Sequence, residues 1–100
     1  MKIINNADCL EIKLTDLNFN SAQDFKKKIS KEMSNGKSGR VLFDFSSVLN
    51  MDTGGLALLI FIVEKYGESK EIIFSNVPVS LKHIFKLDER IFKIAGKNFK

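Results

Sequence analysis

The sequence predicts an α/β sandwich, with a mixed, mostly parallel sheet of about four or five strands and about three or four helices packed mainly on one face. Two observations predict it. Near the start, Leu10, Ile12 and Leu14 alternate with Glu11, Lys13 and Thr15, the period-two pattern of a strand with one wet face. Downstream, short apolar runs of strand length alternate with stretches whose apolar residues recur at helical spacing. Short right-handed crossovers of that kind make the central strands parallel. At 100 residues, a single domain over residues 1–100 with one core is expected.

Ile3 and Ile4 belong to a strand paired with Leu10–Leu14 through a turn at Asn5-Asn6-Ala7-Asp8, so the chain opens as a hairpin. Asn20 or Ser21 then caps a helix carrying Ala22, Phe25, Ile29 and Met33 at helical spacing, and Asn35-Gly36 stops it. Lys26-Lys27-Lys28 with Lys31 falls mainly off that stripe and reads as a solvated face. After a polar loop from Gly36 to Gly39, Arg40-Val41-Leu42-Phe43-Asp44-Phe45 is dense in β-branched and aromatic residues, the composition of a buried central strand. A second helix runs approximately from Gly54 to Gly67, and Ile72-Ile73-Phe74 forms the next buried strand. Pro78 suits the first turn of a third helix with Leu81, Ile84 and Phe85 on its apolar face and Leu87 just off it. Ile91, Phe92 and Ile94 are expected to close the core as a short strand or extended tail, with Ala95 to Lys100 frayed.

Composition narrows the function. With 44% hydrophobic and 28% charged residues of both signs, the chain is too apolar to be disordered. The net charge of +4 permits contact with anions, but no aromatic and basic interleaving of the RNA-binding kind is present. Cys9 is the only cysteine, which rules out an intrachain disulfide and a thiolate metal site and fits a reducing cytoplasm. Met1 to Ala7 reads as neither a signal nor a transit peptide. The longest apolar stretch, Leu56 to Val63, is far short of the roughly 20 residues that span a bilayer, so membrane association is expected only through a partner.

The candidate functional segment is Met51-Asp52-Thr53-Gly54-Gly55-Leu56, between a strand and an apolar helix. It presents a lone hydroxyl at a helix start, where Thr53 or Asp52 caps the first turn and two glycines leave the approach open. On a helical wheel Leu56, Leu59, Ile60 and Val63 form the core stripe, while Leu58, Phe61 and Ile62 fall on roughly the opposite side beside Lys65. An apolar flank of that kind is a protein interface if it is wet, the alternative being that the domain's own tails or neighbouring helices cover it; an interface there would also permit a homodimer.

Catalysis finds little support. His83, the only histidine, lies away from Leu81 and Phe85, and Ser46, Ser47 and Cys9 lack the context of an activated nucleophile. Asp44 and Asp52 could in principle hold Mg²⁺ at the strand end, but no further acidic cluster supports such a site and polar groups satisfied in the loop are the simpler reading; Gly54-Gly55 lacks the spacing of a phosphate-binding loop. No metal or other cofactor is expected.

Val41-Leu42-Phe43-Asp44-Phe45-Ser46 followed by Met51-Asp52-Thr53-Gly54-Gly55-Leu56-Ala57-Leu58-Leu59 resembles the signature of STAS domains, and Ile72-Ile73-Phe74 with Pro78 to Phe85 looks like that family's next strand and helix. The resemblance implies a STAS-like sandwich over essentially the whole chain. Some members are anti-sigma factor antagonists, whose Asp-Ser-Ser/Thr-Gly-Leu loop is phosphorylated by a partner kinase that is also the anti-sigma factor. Here Thr53 matches the first hydroxyl position and Gly54 replaces the second, so Thr53 is the candidate phosphoacceptor. Asp52 to Leu59 is also similar to the loop and helix of MlaB-like proteins, small cytoplasmic STAS subunits of the Mla phospholipid ABC transporter. By that likeness Asp52, Thr53, Gly54 and Gly55, with Leu58, Phe61 and Ile62, are expected to bind the transporter's ATPase, and the chain to act as a non-enzymatic accessory subunit.

Overall fold

Strand β1 (Lys2–Asn5) pairs antiparallel with β2 (Leu10–Lys13), and the Asn6 N–H donates to the Cys9 carbonyl at 3.1 Å to close the hairpin. This computed structural model describes residues 1–6, 8–35, 39–88 and 90–91. Helix α1 (Phe19–Asn35) returns the chain to β3 (Arg40–Asp44), helix α2 (Thr53–Tyr66) leads to β4 (Glu71–Ser75), and α3 (Val79–Leu87) follows. The sheet order is β1-β2-β3-β4, with β2, β3 and β4 mutually parallel. The mixed, mostly parallel sheet is therefore as the sequence predicts.

Register explains which strand residues are buried. Ile12, Phe43 and Phe74 are partners across β2, β3 and β4, as are Leu10, Val41 and Ile72, and both rows are buried. Side chains alternate across a strand, so these rows lie on one face. Phe25, Ile29 and Met33 of α1, five side chains of α2 and Leu81 and Phe85 of α3 join the same core cluster. At its centre Phe74 packs against three aromatic rings, with centroids 5.9 Å from Phe43, 5.1 Å from Phe45 and 5.3 Å from Phe85. Among the described residues one buried side-chain polar atom disturbs this core: the Tyr66 hydroxyl has no hydrogen-bond partner there. Removing an unpaired buried hydroxyl relieves its desolvation penalty, so Tyr66→Phe is expected to leave stability unchanged or raise it by about 1 kcal/mol in urea titration. A clear loss would show that the hydroxyl is bonded in solution.

Several boundaries differ from the sequence expectation. The α1 N-cap is Asn18 rather than Asn20 or Ser21: its Oδ1 accepts from the Ser21 N–H at 2.9 Å, and the Ser21 hydroxyl accepts from the Asn18 N–H at 3.2 Å. That reciprocal pair is a capping box with serine at its third position. Pro78 is the residue before α3, not within its first turn, and Ile84 is partly exposed rather than on the buried face. Ile91 does enter the core, but in helical conformation, with its N–H and that of Arg90 donating to Asp88 Oδ1. Ala7, residues 36–38 of the polar loop, and the expected Phe92, Ile94 and frayed 95–100 lie outside the described residues. No helix among the described residues is long and apolar enough to cross a membrane.

The largest correction concerns α2. Leu58 and Ile62 were expected to face outward, yet they are 4% and 1% exposed, and Phe61 is partly buried against the core. The helix packs on the sheet and also against α1, so its buried arc is broader than a single stripe. The two wheel clusters are flanks of that one arc. Lys26 on α1 sits 4.3 Å over the Phe61 ring and Lys65 lies 5.4 Å from it, which shields the ring.

Candidate functional site

The site is assembled where β2 and β3 release the chain into α1 and α2. Leu17 and Met51 form a parallel bridge there, and the Asp52 N–H donates to the Leu17 carbonyl at 3.2 Å. Asp52, not Thr53, is the N-cap of α2: its Oδ1 accepts from the Gly55 N–H at 3.1 Å. Its other oxygen, Oδ2, accepts from the Phe19 N–H at 2.9 Å. One carboxylate thus closes the first turns of two helices, satisfying donors that neither helix can satisfy itself.

The two glycines are required by close approach, since neither has a positive φ. A Cβ on Gly54 would stand 2.6 Å from the Phe19 Cα, and one on Gly55 would stand 2.6 Å from both the Cβ and the carbonyl oxygen of Leu17. The α2 start is pressed onto the segment 17–19 so tightly that no side chain fits. This gives a physical reason for glycine where a second hydroxyl would otherwise stand.

Thr53 is the first residue of α2 and is exposed, as are Asp52 and Ala57. With capping taken over by Asp52, the Thr53 hydroxyl makes no hydrogen bond among the described residues. Beside it runs a shallow groove of about 160 Å³ between α1 and α2, lined by Phe19, Ala22, Lys26, Gly54, Ala57 and Phe61 among others. The structure therefore brings Asp52, Thr53, Gly54 and Phe61 to one surface and places Gly55, Leu58 and Ile62 beneath it. Phe19, 76% exposed at the groove's edge, is a site residue that sequence reasoning missed. Nothing local marks it, because the contact with residues 52–54 joins positions 33 apart.

Electrostatics at this end follow from hydrogen bonding. The Phe19 and Gly55 N–H groups hold the Asp52 carboxyl below its ordinary value. Burial would raise Asp44, but the Asn76 amide and the Ser46 N–H bonded to it outweigh that and lower it as well. The Asp88 carboxyl is also lowered, chiefly by the Arg90 guanidinium. Both aspartates weighed for Mg²⁺ are thus engaged with the protein's own donors.

A carboxyl held below its unfolded value contributes stability that is fully present above that value, near 3.8 here, and lost as pH falls through the folded value. Stability is expected to hold from neutrality down to about pH 4–5 and to decline below it. Asp52→Asn should be weaker at pH 7 and should flatten that acid limb. Urea midpoints measured across pH test this, and an unaltered acid limb would refute the role given to Asp52.

The comparisons with known proteins agree with this architecture. The family model described as the STAS domain matches residues 3–96. Among solved structures, the chain is similar to the anti-sigma factor antagonist SpoIIAA in its unphosphorylated form, with TM-score 0.72 and 17% identity over 87% of this chain and 82% of that one. It is similar to the Bacillus cell fate determinant SpoIIAA in the phosphorylated form, with TM-score 0.76 and 17% identity over 99% and 87%. The protein TM1081, solved by NMR, gives TM-score 0.79 and 17% identity over 98% and 78%. With a family model spanning nearly its full length and the expected sheet order beneath it, the chain belongs to the STAS domain family.

Proposed function

We propose that this chain is a regulatory binding module of the anti-sigma factor antagonist kind, in which the unmodified Thr53 end docks on a partner kinase and phosphorylation of Thr53 releases it. The observation that carries this is the exposed Thr53 hydroxyl at the first position of α2, left free because Asp52 supplies the cap. A phosphate there adds roughly −1.5 to −2 charge. The positive end of α2 tolerates that charge, whereas an apolar partner surface packed directly on Thr53 does not, because it would bury the phosphate unpaired. The module itself makes and breaks no bonds.

A second partner is favoured by one specific observation. Gly54 leaves no room for the second hydroxyl of the antagonist loop, and the same Thr-Gly-Gly run matches the MlaB-like loop. In that setting Thr53 is a hydrogen-bonding contact on the ATPase of an Mla-type phospholipid transporter, in the cytoplasm, and the module biases the ATPase toward one conformation.

The experiment that separates the two is incubation of the purified chain with ATP and extract of its own cell, followed by mass spectrometry. Stoichiometric phosphate on Thr53 supports the switch; an unmodified chain that co-purifies with an ABC ATPase supports the accessory subunit. In either case Thr53→Glu is expected to weaken partner binding by tenfold or more, about 1.4 kcal/mol. Equal recovery of the partner on wild-type and Thr53→Glu baits would remove Thr53 from the interface.

A further inference from the structure

Of the five large apolar side chains exposed among the described residues, two, Ile84 and Leu87, lie along α3, and the other three fall in a pattern that the Thr53 loop alone does not account for. The three parallel strands β2, β3 and β4 end at the same side of the sheet, and each of the three connections or helix starts beyond them exposes one large apolar residue. These are Phe19 (76% exposed), Leu49 (76%) and Val79 (70%). Three aspartates tie the connections together: Asp16 accepts from the Leu49 N–H at 3.1 Å, Asp44 from the Asn76 side chain at 3.0 Å, and Asp52 from the Phe19 N–H at 2.9 Å. The apolar residues are therefore held on a braced surface.

Charge identifies what this surface fits. None of the 16 lysines and arginines falls in the connecting segments 14–18, 45–52 or 76–78 of this basic protein. None of the ion pairs among the described residues involves Asp16, Asp44 or Asp52. Lys13, at the end of β2, offsets part of the charge at Asp44. A second copy would bring the three aspartates against themselves, and an anionic membrane would be repelled by them. We infer that the carboxyl end of the sheet docks a protein surface that is apolar at its centre and rimmed by arginine or lysine, with Phe19 and Leu49 as anchors. This rests on the proposed Thr53 docking and supplies the chemistry of its partner.

The test begins with the protein recovered on a wild-type bait and absent from a Thr53→Glu bait, then purified for binding measurements. Phe19→Ser and Leu49→Ser, at exposed positions and checked by thermal melts for an intact fold, are expected each to weaken binding by tenfold or more. Leu87→Ser, exposed at the far end of α3, should leave it unchanged. Affinity should also fall as salt rises from about 50 to about 300 mM, where screening weakens complementary charges. Wild-type affinity in the serine variants, or indifference to salt, would overturn the inference. So would a dimer of the chain alone that Phe19→Ser dissociates, or capture by anionic phospholipid vesicles that Leu49→Ser abolishes. If Thr53→Glu alone loses the partner, the Thr53 docking stands and this extension falls. If the partner is neither a kinase nor an ABC ATPase but follows Phe19, Leu49 and salt, the kinase and ATPase readings fall and this extension stands.

Discussion

Phe74→Ala is expected to destabilise the protein by about 3–5 kcal/mol, because it deletes a fully buried ring from the centre of the core. Phe43, Phe45 and Phe85 all pack on that ring, and their own positions are fixed by β3, the residue that directly follows it and α3. They cannot close the space together without moving the sheet against α3. A small domain has only about 5–15 kcal/mol in total, so the variant should be largely unfolded at modest urea concentrations. Phe74→Leu, which fills more of the volume, should lose visibly less. A loss below about 1.5 kcal/mol for the alanine variant would mean that the core collapses around the gap, contrary to the packing described.

Gly55→Ala tests the close approach at the site, and its sign is informative. In an ordinary helix this change stabilises by about 1 kcal/mol, since glycine is a poor helix former. Here the added methyl meets the Leu17 Cβ and carbonyl at 2.6 Å and the Met51 side chain at 2.8 Å, and Leu17 is fixed by its bridge to Met51. Overpacking of that kind should reverse the sign, giving a net loss of about 1–3 kcal/mol in urea titration. Stabilisation would show that the α2 start moves away freely. Gly54→Ser should also destabilise, because its Cβ meets the Phe19 backbone rather than a flexible side chain. Restoring the second hydroxyl would therefore disturb the α1 start instead of simply adding a phosphoacceptor.

The architecture was largely legible because it rests on local signals. The alternation of Leu10, Ile12 and Leu14, the spacing of Phe25, Ile29 and Met33, and the run from Arg40 to Phe45 each announce their element within a few residues. The Asp52–Thr53 segment was legible as a helix start for the same reason. What sequence patterns did not carry were contacts between distant segments. Asn18 caps α1 beside an aspartate contributed from another loop, and Phe19 joins the site only through that contact. On α2 the wheel separated Leu58 and Ile62 from Leu59 and Val63, since a single period cannot register that the helix meets both the sheet and α1. The exposed apolar residues are consequently at the strand ends, in Phe19, Leu49 and Val79, and on α3, in Ile84 and Leu87, instead of along that helix.

The shared carboxylate of Asp52 makes two remote stretches of chain into one cooperative unit. The Phe19 and Gly55 amide protons have the same acceptor group, so the opening that frees one from protection against solvent exchange exposes the other. A visitor gripping the threonine would in that way also stiffen the beginning of α1, where Phe19 stands.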